Sequence, residues 1–491
     1  MSLTAPLVRG SHLIADPGRP DHSRRRRIIA GTIVLPFRAR FGRPDRVIFG
    51  YAPADVTLAE TTPRVLMRFR GDASSLLQLP WSMPLDEWPA DSARFVELPV
   101  GESRHVVRFI AIDSQLLALK ELPARPARRE YEVMRELEER DAPAVRPVGL
   151  VERPDDDAAV IITRYLMRSL QLRRLFRRLP ESAGDYRERF LDAMSSLLVE
   201  LHRGGVYWGD CSLANTLLLR DGQALQAHLV DAETSEIHDS LSEGQRRMDV
   251  DIAVENLAGD MLDIAATSGR SLDEADEEMA AALSLRDRYE RLWTEIHAAE
   301  IIAPGERFKV DARLRRLNAL GFVVEEVIVE PSGPDGSQAH LRVAVGSRRF
   351  HAARLKDITG LEAGEGQATV LLNDLASWAG FSAGAESFVP AALGTRPDEP
   401  LRQAARRWLM DVFEPTVSRL RGQLGPEADP VQAYCDYIEV KWLLSEQVGH
   451  DVGDDEAVRR IAEQAIPMGA AAGMVVAEES PSLYQLLYAG P

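Results

Sequence analysis

The stretch Trp208-Gly209-Asp210-Cys211-Ser212-Leu213-Ala214-Asn215 admits few folds. An aspartate and an asparagine stand five positions apart, and an apolar run then closes on a second aspartate in Val230-Asp231-Ala232-Glu233. Each side chain suits one task. A carboxylate can meet an acceptor hydroxyl, and an amide oxygen and a second carboxylate suit Mg²⁺, a hard cation that prefers oxygen. A reaction that asks for positioning and charge neutralisation, with little covalent chemistry, needs this kind of set.

The order Asp, Asn, strand, Asp is the layout of the protein-kinase-like fold, so the other parts of such a site can be sought upstream. Strand-like runs open at Phe95: "RFVEL", "HVVRFIAI" and "LLALKEL", separated by Pro99, Gly101, Asp113 and Ser114. A helix is expected over Ala127 to Arg140. Strands follow near Val145 to Val151 and Ala159 to Tyr165, with "RPDDD" as their hairpin loop. Five antiparallel strands with a helix after the third is the order of a kinase N-lobe.

The helices of a C-lobe then follow. Tyr186 to Arg203 carries Phe190, Met194, Leu197, Leu198 and Leu201 at helical spacing. "NTLLL" and "AHLVDAE" read as short strands around the Asp221-Gly222 turn. Helices are expected over Met248 to Ala266 and Leu272 to Ala299.

After Pro304 the pattern changes. A helix is expected over Glu306 to Leu320. The strands "VVEEVIVE" and "HLRVAV" flank "PSGPDGSQ", and Gln367 to Trp378 is helical. Pro400 to Ile466 is helical again, with Trp408, Phe413, Tyr434, Tyr437, Trp442 and Leu443 as the expected core. The basic stretch Arg348, Arg349, Arg354 and Lys356 reads as a solvated strand edge, or as an anion contact. No internal repeat is visible.

The expected fold is therefore α+β: a two-lobed kinase-like fold, then a small α/β region and a C-terminal helical region. The expected division is an N-terminal extension of loose structure over 1–62, a kinase-like domain over 63–303, an α/β region over 304–395, a helical region over 396–467 and a flexible tail over 468–491. Within the kinase-like domain the lobes meet near 165. At 491 residues the chain is long enough for two or three cores.

Composition narrows the partners. A net charge of −17 argues against nucleic acid as a bulk partner. Two cysteines, Cys211 and Cys435, give no disulfide framework and fit a reducing, cytoplasmic setting. The longest apolar run, Ile28 to Phe37, is ten residues and contains Gly31 and Pro36. That is short of the roughly 20 a spanning helix needs. Arg24 to Arg27 precede it in loose imitation of a signal peptide, without a small-residue cleavage site after it. Met67, where domain-like sequence first appears, is an alternative start.

Lysine is nearly absent, four against 55 arginines, so a lysine inside an apolar strand is informative. Lys120 ends "LLALKEL", where a compact cation can face nucleotide phosphates. Its acidic partner should come from "ARREYEVMRELEER". Glu130 shares a helix face with Met134 and Leu137, whereas Glu132, Glu136 and Glu139 share the solvated face. Asp210 is then the candidate base or hydroxyl-orienting group, and Asn215 and Asp231 the candidate metal ligands. Gly101, Thr163 and Tyr165 join Lys120 as candidate nucleotide contacts. Cys211 reads as a small buried filler. One of Asp249 and Asp251 is expected to hold the loop backbone from below, and the sequence does not separate them.

Several features depart from regulated protein kinases. The glycine-rich loop is reduced to "PVGESRH", Gly209 stands where many such kinases carry Arg, and Asp231 is followed by Ala-Glu instead of Phe-Gly. About seventeen residues separate Asp231 from the helix expected at Met248, which leaves little room for an activation loop.

The motifs "LPWSMPLDEWP", "SRHVVRF", "LALKELP", "YWGDCSLANTL", "VDAETSEIH", "RRLNALGF", "DVFEPTV" and "KWLLSEQVGHDVG" resemble the bacterial family termed domain of unknown function 4032. Its front half is described as lipopolysaccharide-kinase-like. The resemblance covers roughly Met67 to Pro467. It implies a kinase-like fold with a family-specific C-terminal region, and it names no substrate. By position, Lys120, Glu130, Asp210, Asn215 and Asp231 fill the kinase-like slots.

The expected activity is an ATP- and Mg²⁺-dependent phosphotransferase acting on an unidentified hydroxyl acceptor, on a sugar, glycolipid or protein. The second reading is a pseudokinase, a nucleotide-binding or scaffolding module whose C-terminal region takes a protein partner. Nucleotidyl transfer on the same fold is a third.

Overall fold

The structure is a computed structural model that describes residues 64–71, 74–98, 104–113, 115–178, 184–267, 272–303, 306–332, 338–380, 399–424 and 429–464. The expected N-terminal extension, Gly101 and the tail after Pro467 lie outside them.

The first lobe is a single antiparallel sheet. Its strands are β1 (Leu66–Phe69), β2 (Arg94–Phe95), β3 (Val106–Ile112), β4 (Gln115–Pro123), β5 (Pro147–Arg153) and β6 (Ala158–Arg164), in the order β1-β5-β6-β4-β3-β2. This is the expected set of five with one strand added in front. Helix α1 (Ala124–Glu139) lies between β4 and β5 and starts three residues before the expected Ala127. Pro126 sits in its first turn, where the missing N–H costs no intrahelical bond.

Alternation on the strands sends side chains to two separate cores. Leu122, Leu150, Ala159 and Ile161 face α1. Leu117, Leu119, Val151, Val160 and Ile162 face the other way, onto Leu76, Trp81, Leu85 and Trp88. Trp81 and Trp88 meet edge-on with centroids 5.0 Å apart. The "LPWSMPLDEWP" segment is therefore the cover of the outer sheet face, which lets β5 and β6 be apolar on both sides.

The second lobe begins with β7 (Leu170–Gln171), α2 (Leu172–Arg178) and α3 (Gly184–Arg203). Phe190, Met194, Leu197, Leu198 and Leu201 of α3 are all buried, as their spacing predicts. Next come β8 (Val206–Tyr207), β9 (Thr216–Asp221), β10 (Ala224–Leu229) and β11 (Glu236–Ile237). β9 and β10 pair around Gly222, and β8 pairs with β11. Helix α4 (Glu243–Thr267) starts five residues before the expected Met248. The reason is a capping box: Ser242 Oγ accepts from Gln245 N, and Gln245 Oε1 accepts from Ser242 N. Helix α5 (Leu272–His297) packs on α3 and α4.

The small α/β region contains β12 (Glu300–Ile302), α6 (Arg307–Ala319), β13 (Val324–Ser332) and β14 (Gln338–Val345), with sheet order β12-β14-β13. Leu317, Phe322 and Val324 belong to the same apolar core as α3 and α5. A separate core begins with α7 (Phe350–Thr359) and α8 (Glu365–Trp378). It continues through α9 (Glu399–Trp408), one π turn over Leu409–Phe413, α10 (Glu414–Leu424), α11 (Pro430–Val448) and α12 (Asp454–Gln464). Trp408, Phe413, Tyr434 and Tyr437 are in this core as expected.

Two expectations are corrected here. Trp442 is 60% exposed and Leu443 half-buried; Leu444 takes the core place. Tyr437, Val440 and Leu444 recur at helical spacing on the inner face, and Trp442 falls between them on the outside. The basic stretch is not a strand edge, because Arg349 precedes α7, and Arg354 and Lys356 lie within it.

The C-terminal helical core is joined to the main core by polar bonds at the β9–β10 turn. Asp221 accepts from Gly366 N at 2.8 Å and Gln367 N at 2.9 Å, in the first turn of α8. Gln432 Oε1 accepts from Gly222 N at 3.1 Å, and Arg220 pairs with Asp436 at 2.7 Å. A Cβ on Gly222, at φ +63°, would lie 2.7 Å from the Gly366 carbonyl oxygen. Among the described residues, no helix is long and apolar enough to cross a membrane.

Candidate active site

Three of the expected residues meet at one point. β4 delivers Lys120, α1 delivers Glu130 and the segment after β10 delivers Asp231. Lys120 Nζ donates to both Glu130 carboxylate oxygens at 3.1 and 3.2 Å and to Asp231 Oδ2 at 2.8 Å. The face of α1 that carries Ala127, Glu130, Tyr131, Met134 and Leu137 is buried. Glu132, Glu136 and Glu139 have side chains 52%, 41% and 62% exposed, so helical periodicity selects the inner glutamate.

The charges at this point are out of balance. Burial alone would pull the Lys120 ammonium down, but Glu130 and Asp231 outweigh it and hold it above its ordinary value. Burial and the neighbouring Asp231 charge push Glu130 up to about 7 despite the lysine. Two carboxylates, Glu130 and Asp231, therefore compete for the Lys120 cation.

The loop with Asp210 hangs on α4. Asp249 is fully buried and accepts from Trp208 N at 2.7 Å, Gly209 N at 2.8 Å and His202 Nε2 at 2.9 Å. His202 in turn meets the Tyr289 hydroxyl at 2.8 Å. Asp251 is the surface carboxylate, paired with Arg286 at 2.6 Å. The structure thus separates the two aspartates that the sequence left together. Gly209 takes φ +78°, and a Cβ there would come within 3.3 Å of the Thr234 carbonyl oxygen. The glycine at this place is a backbone requirement.

Asp210 is held from both sides. Asn215 Nδ2 donates to Asp210 Oδ2 at 2.9 Å, and Asn256 Nδ2 donates to Asp210 Oδ1 at 3.1 Å and to the Cys211 carbonyl at 3.2 Å. Burial and the Asp231 charge raise the Asp210 carboxyl above its ordinary value, against the two amides and Arg104. Asp260, one turn beyond Asn256, accepts from Leu213 N at 2.9 Å and pairs with Arg173. Asn256 and Asp260 escaped the sequence reading. Their signal is the spacing Asp249, Asn256, Asp260, which stacks three polar side chains on one face of α4.

Asp231 also accepts from Glu233 N at 3.0 Å through Oδ1. Glu233 approaches His105 at 3.6 Å, so this segment touches the strand entry of the first lobe. Cys211 is fully buried and its thiol is pushed well above the ordinary range by burial, in keeping with a filler.

The remaining candidates lie along the link between the lobes. Thr163 sits on β6 opposite Ala118. Tyr165 follows β6; its N donates to the Leu116 carbonyl at 2.9 Å and its ring meets Phe109 edge-on at 5.6 Å. Neither bonds to the Lys120 cluster. Gly101 lies outside the described residues.

The donor set fits a hard divalent cation. Asp231 and the amide oxygen of Asn215 offer oxygen ligands, and burial together with the Asp231 charge raises the nearby Asp210 and Glu130 carboxyls. Among the described residues, no three His, Cys, Asp or Glu side chains form a metal cage. Mg²⁺ is usually held this way, by one or two carboxylates with the rest of its shell from phosphates and water.

Residues 110–251 match the model of the lipopolysaccharide kinase (Kdo/WaaP) family. Residues 291–466 match the family described as domain of unknown function (DUF4032). No curated protein matches. Among solved structures, one titled "WaaP in complex with acyl carrier protein" matches at 19% identity, over 41% of this chain and 89% of that chain, with a TM-score of 0.27. The chain combines the two regions that its motifs resemble, a kinase-like domain similar to the lipopolysaccharide kinase (Kdo/WaaP) family followed by a region similar to the DUF4032 family.

Proposed function

We propose that this chain is an ATP- and Mg²⁺-dependent phosphotransferase that acts on a hydroxyl acceptor, with a sugar or glycolipid as the favoured class. The observation that carries the reading is the meeting of Lys120, Glu130 and Asp231 beside an Asp210 clamped by two amides. The match to the lipopolysaccharide kinase family supports the acceptor class.

In this reading Lys120 holds nucleotide phosphates, and Glu130 fixes the lysine from a buried position. Asp231 and the amide oxygen of Asn215 would hold the cation, since the Asn215 amide nitrogen is committed to Asp210. When bound, Mg²⁺ supplies neutralisation of the phosphate charge. Asp210 orients the acceptor hydroxyl and receives its proton, and its raised pKa makes it a better base than an ordinary carboxylate. The main chain around Tyr165, between the lobes, would border the nucleotide.

The test uses the full chain. ATP with Mg²⁺ at about a hundred times the dissociation constant should stabilise it by roughly 2.7 kcal/mol in thermal unfolding. Wild type and Asp210→Ala are then incubated with cell extract and ATP, and products are compared by mass spectrometry. A phosphorylated product made by wild type alone supports the reading. Nucleotide binding with identical products from both proteins would replace it with the pseudokinase.

A further inference from the structure

We propose that a basic cavity, whose lining excludes Lys120, Glu130, Asp210, Asn215 and Asp231, binds a small phosphorylated molecule. The cavity has a volume of about 740 Å³ and is built where the two family regions meet. Arg140, Arg146, Arg164 and Arg203 come from the kinase-like side, and Arg348 and Arg349 from the DUF4032 side. Its walls hold six arginines against three carboxylates, Asp141, Glu200 and Glu365. That balance is the reverse of the whole chain, whose net charge is −17.

The arginines divide into two groups. Four are engaged in the walls. Arg140 donates to the His238 carbonyl at 3.1 Å, Arg203 to the Gly346 carbonyl at 2.9 Å, and Arg348 to the Leu320 carbonyl at 2.9 Å, while Arg349 pairs with Asp141 at 3.0 Å. These bonds hold the lining in place. Arg146 and Arg164 are exposed, and no ion pair of either with a carboxylate is seen among the described residues. Their main chains are tied together by Arg164 N donating to the Arg146 carbonyl at 2.9 Å.

Two exposed arginines from bonded main chains, lining one otherwise fixed basic cavity, suit the oxygens of a phosphate group. His228 adds a neutral polar group to the same wall. Its Nδ1 is buried without a partner in hydrogen-bonding geometry, and burial holds the imidazole down to about 4. The volume suits a nucleotide or a sugar phosphate, within the range of small-molecule pockets. Tyr165, Leu166 and Met167, which follow β6, form another wall.

The experiment uses the full chain carrying Asp231→Ala, so that the candidate active site does not supply the signal. Inorganic pyrophosphate and glucose 6-phosphate are the probes, titrated by calorimetry at low salt. At least one should bind, and binding should weaken as salt is raised. Adding Arg146→Ser or Arg164→Ser should cost about tenfold in affinity each, and both together about a hundredfold. Unfolding temperature without probe should not change, because neither side chain holds the wall together. Absence of binding by both probes up to millimolar concentration would overturn the proposal. So would binding that the double substitution leaves unchanged.

Discussion

Glu130 shows how much one buried carboxyl can decide. It is fully buried, and its folded pKa of about 7 lies above the ordinary value of 4.5. A carboxyl raised in this way binds its proton more tightly when folded, so stability falls as pH rises from about 4.5 through about 7 and then levels. Glu130→Gln should flatten this part of the profile. The wild-type chain should lose on the order of 1–3 kcal/mol more than the variant between pH 5 and 7.5, read by urea unfolding. Equal slopes would show that the burial of Glu130 is not what sets the pH dependence. Gly209 makes a second point at this scale. Gly209→Arg, which restores the residue many protein kinases carry, would force a side chain into φ +78° beside Thr234. A cost of roughly 1–2 kcal/mol follows from the left-handed backbone alone, measurable by the same unfolding assay.

At the scale of elements, α4 is the support of the candidate catalytic loop. Asp249, Asn256 and Asp260 reach the main chain or side chains of Trp208, Gly209, Asp210 and Leu213 from one helix face. The three do different work, so their removal should be distinguishable. Asp249→Ala leaves two loop N–H groups and a buried imidazole without their acceptor. It should cost about 3 kcal/mol of stability in chemical unfolding. Asn256→Ala removes one of the two amides on Asp210 and leaves the loop backbone held. Phosphoryl transfer should fall by at least about tenfold in kcat, with KM for ATP and unfolding temperature little changed. A KM effect as large as the kcat effect would place Asn256 in nucleotide binding instead of in positioning Asp210.

At the scale of the whole molecule, the main apolar core and the C-terminal helical core are divided near the start of α7, and the α/β strands share the core of the kinase-like part. The C-terminal helices dock through the turn of the β9–β10 hairpin, whose strands start beside Asn215 and end two residues before Asp231. A carboxylate at the start of α8 also meets the positive end of that helix. Asp221→Ala should therefore destabilise α8 and α11 by about 2–4 kcal/mol relative to the rest of the chain. Hydrogen exchange of the full chain would check this: amides of α8 and α11 should lose protection while those of α3 keep it. Uniform loss across both cores would mean that they unfold as one unit.

The sequence by itself determined the fold class and the candidate chemistry, because both rest on local patterns. Strand alternation, helical spacing and turn residues specify the elements. The scarcity of lysine singles out Lys120, and periodicity singles out Glu130 among five glutamates of one helix. Tertiary structure decided whatever depends on which face of an element turns inward. Asp249 and Asp251 are equivalent as letters two apart on a helix, and only packing against the loop makes one a buried acceptor and the other a surface ion pair. Trp442 looks like core by its type, and the inner stripe of α11 excludes it. Asn256 looks ordinary until the loop folds down onto it. The basic cavity is a further case, since its arginines lie up to some two hundred positions apart and converge only when the second core docks on the first. Short-range geometry is written in the order of residues, and the pairing of distant faces is fixed by burial and charge in the folded chain.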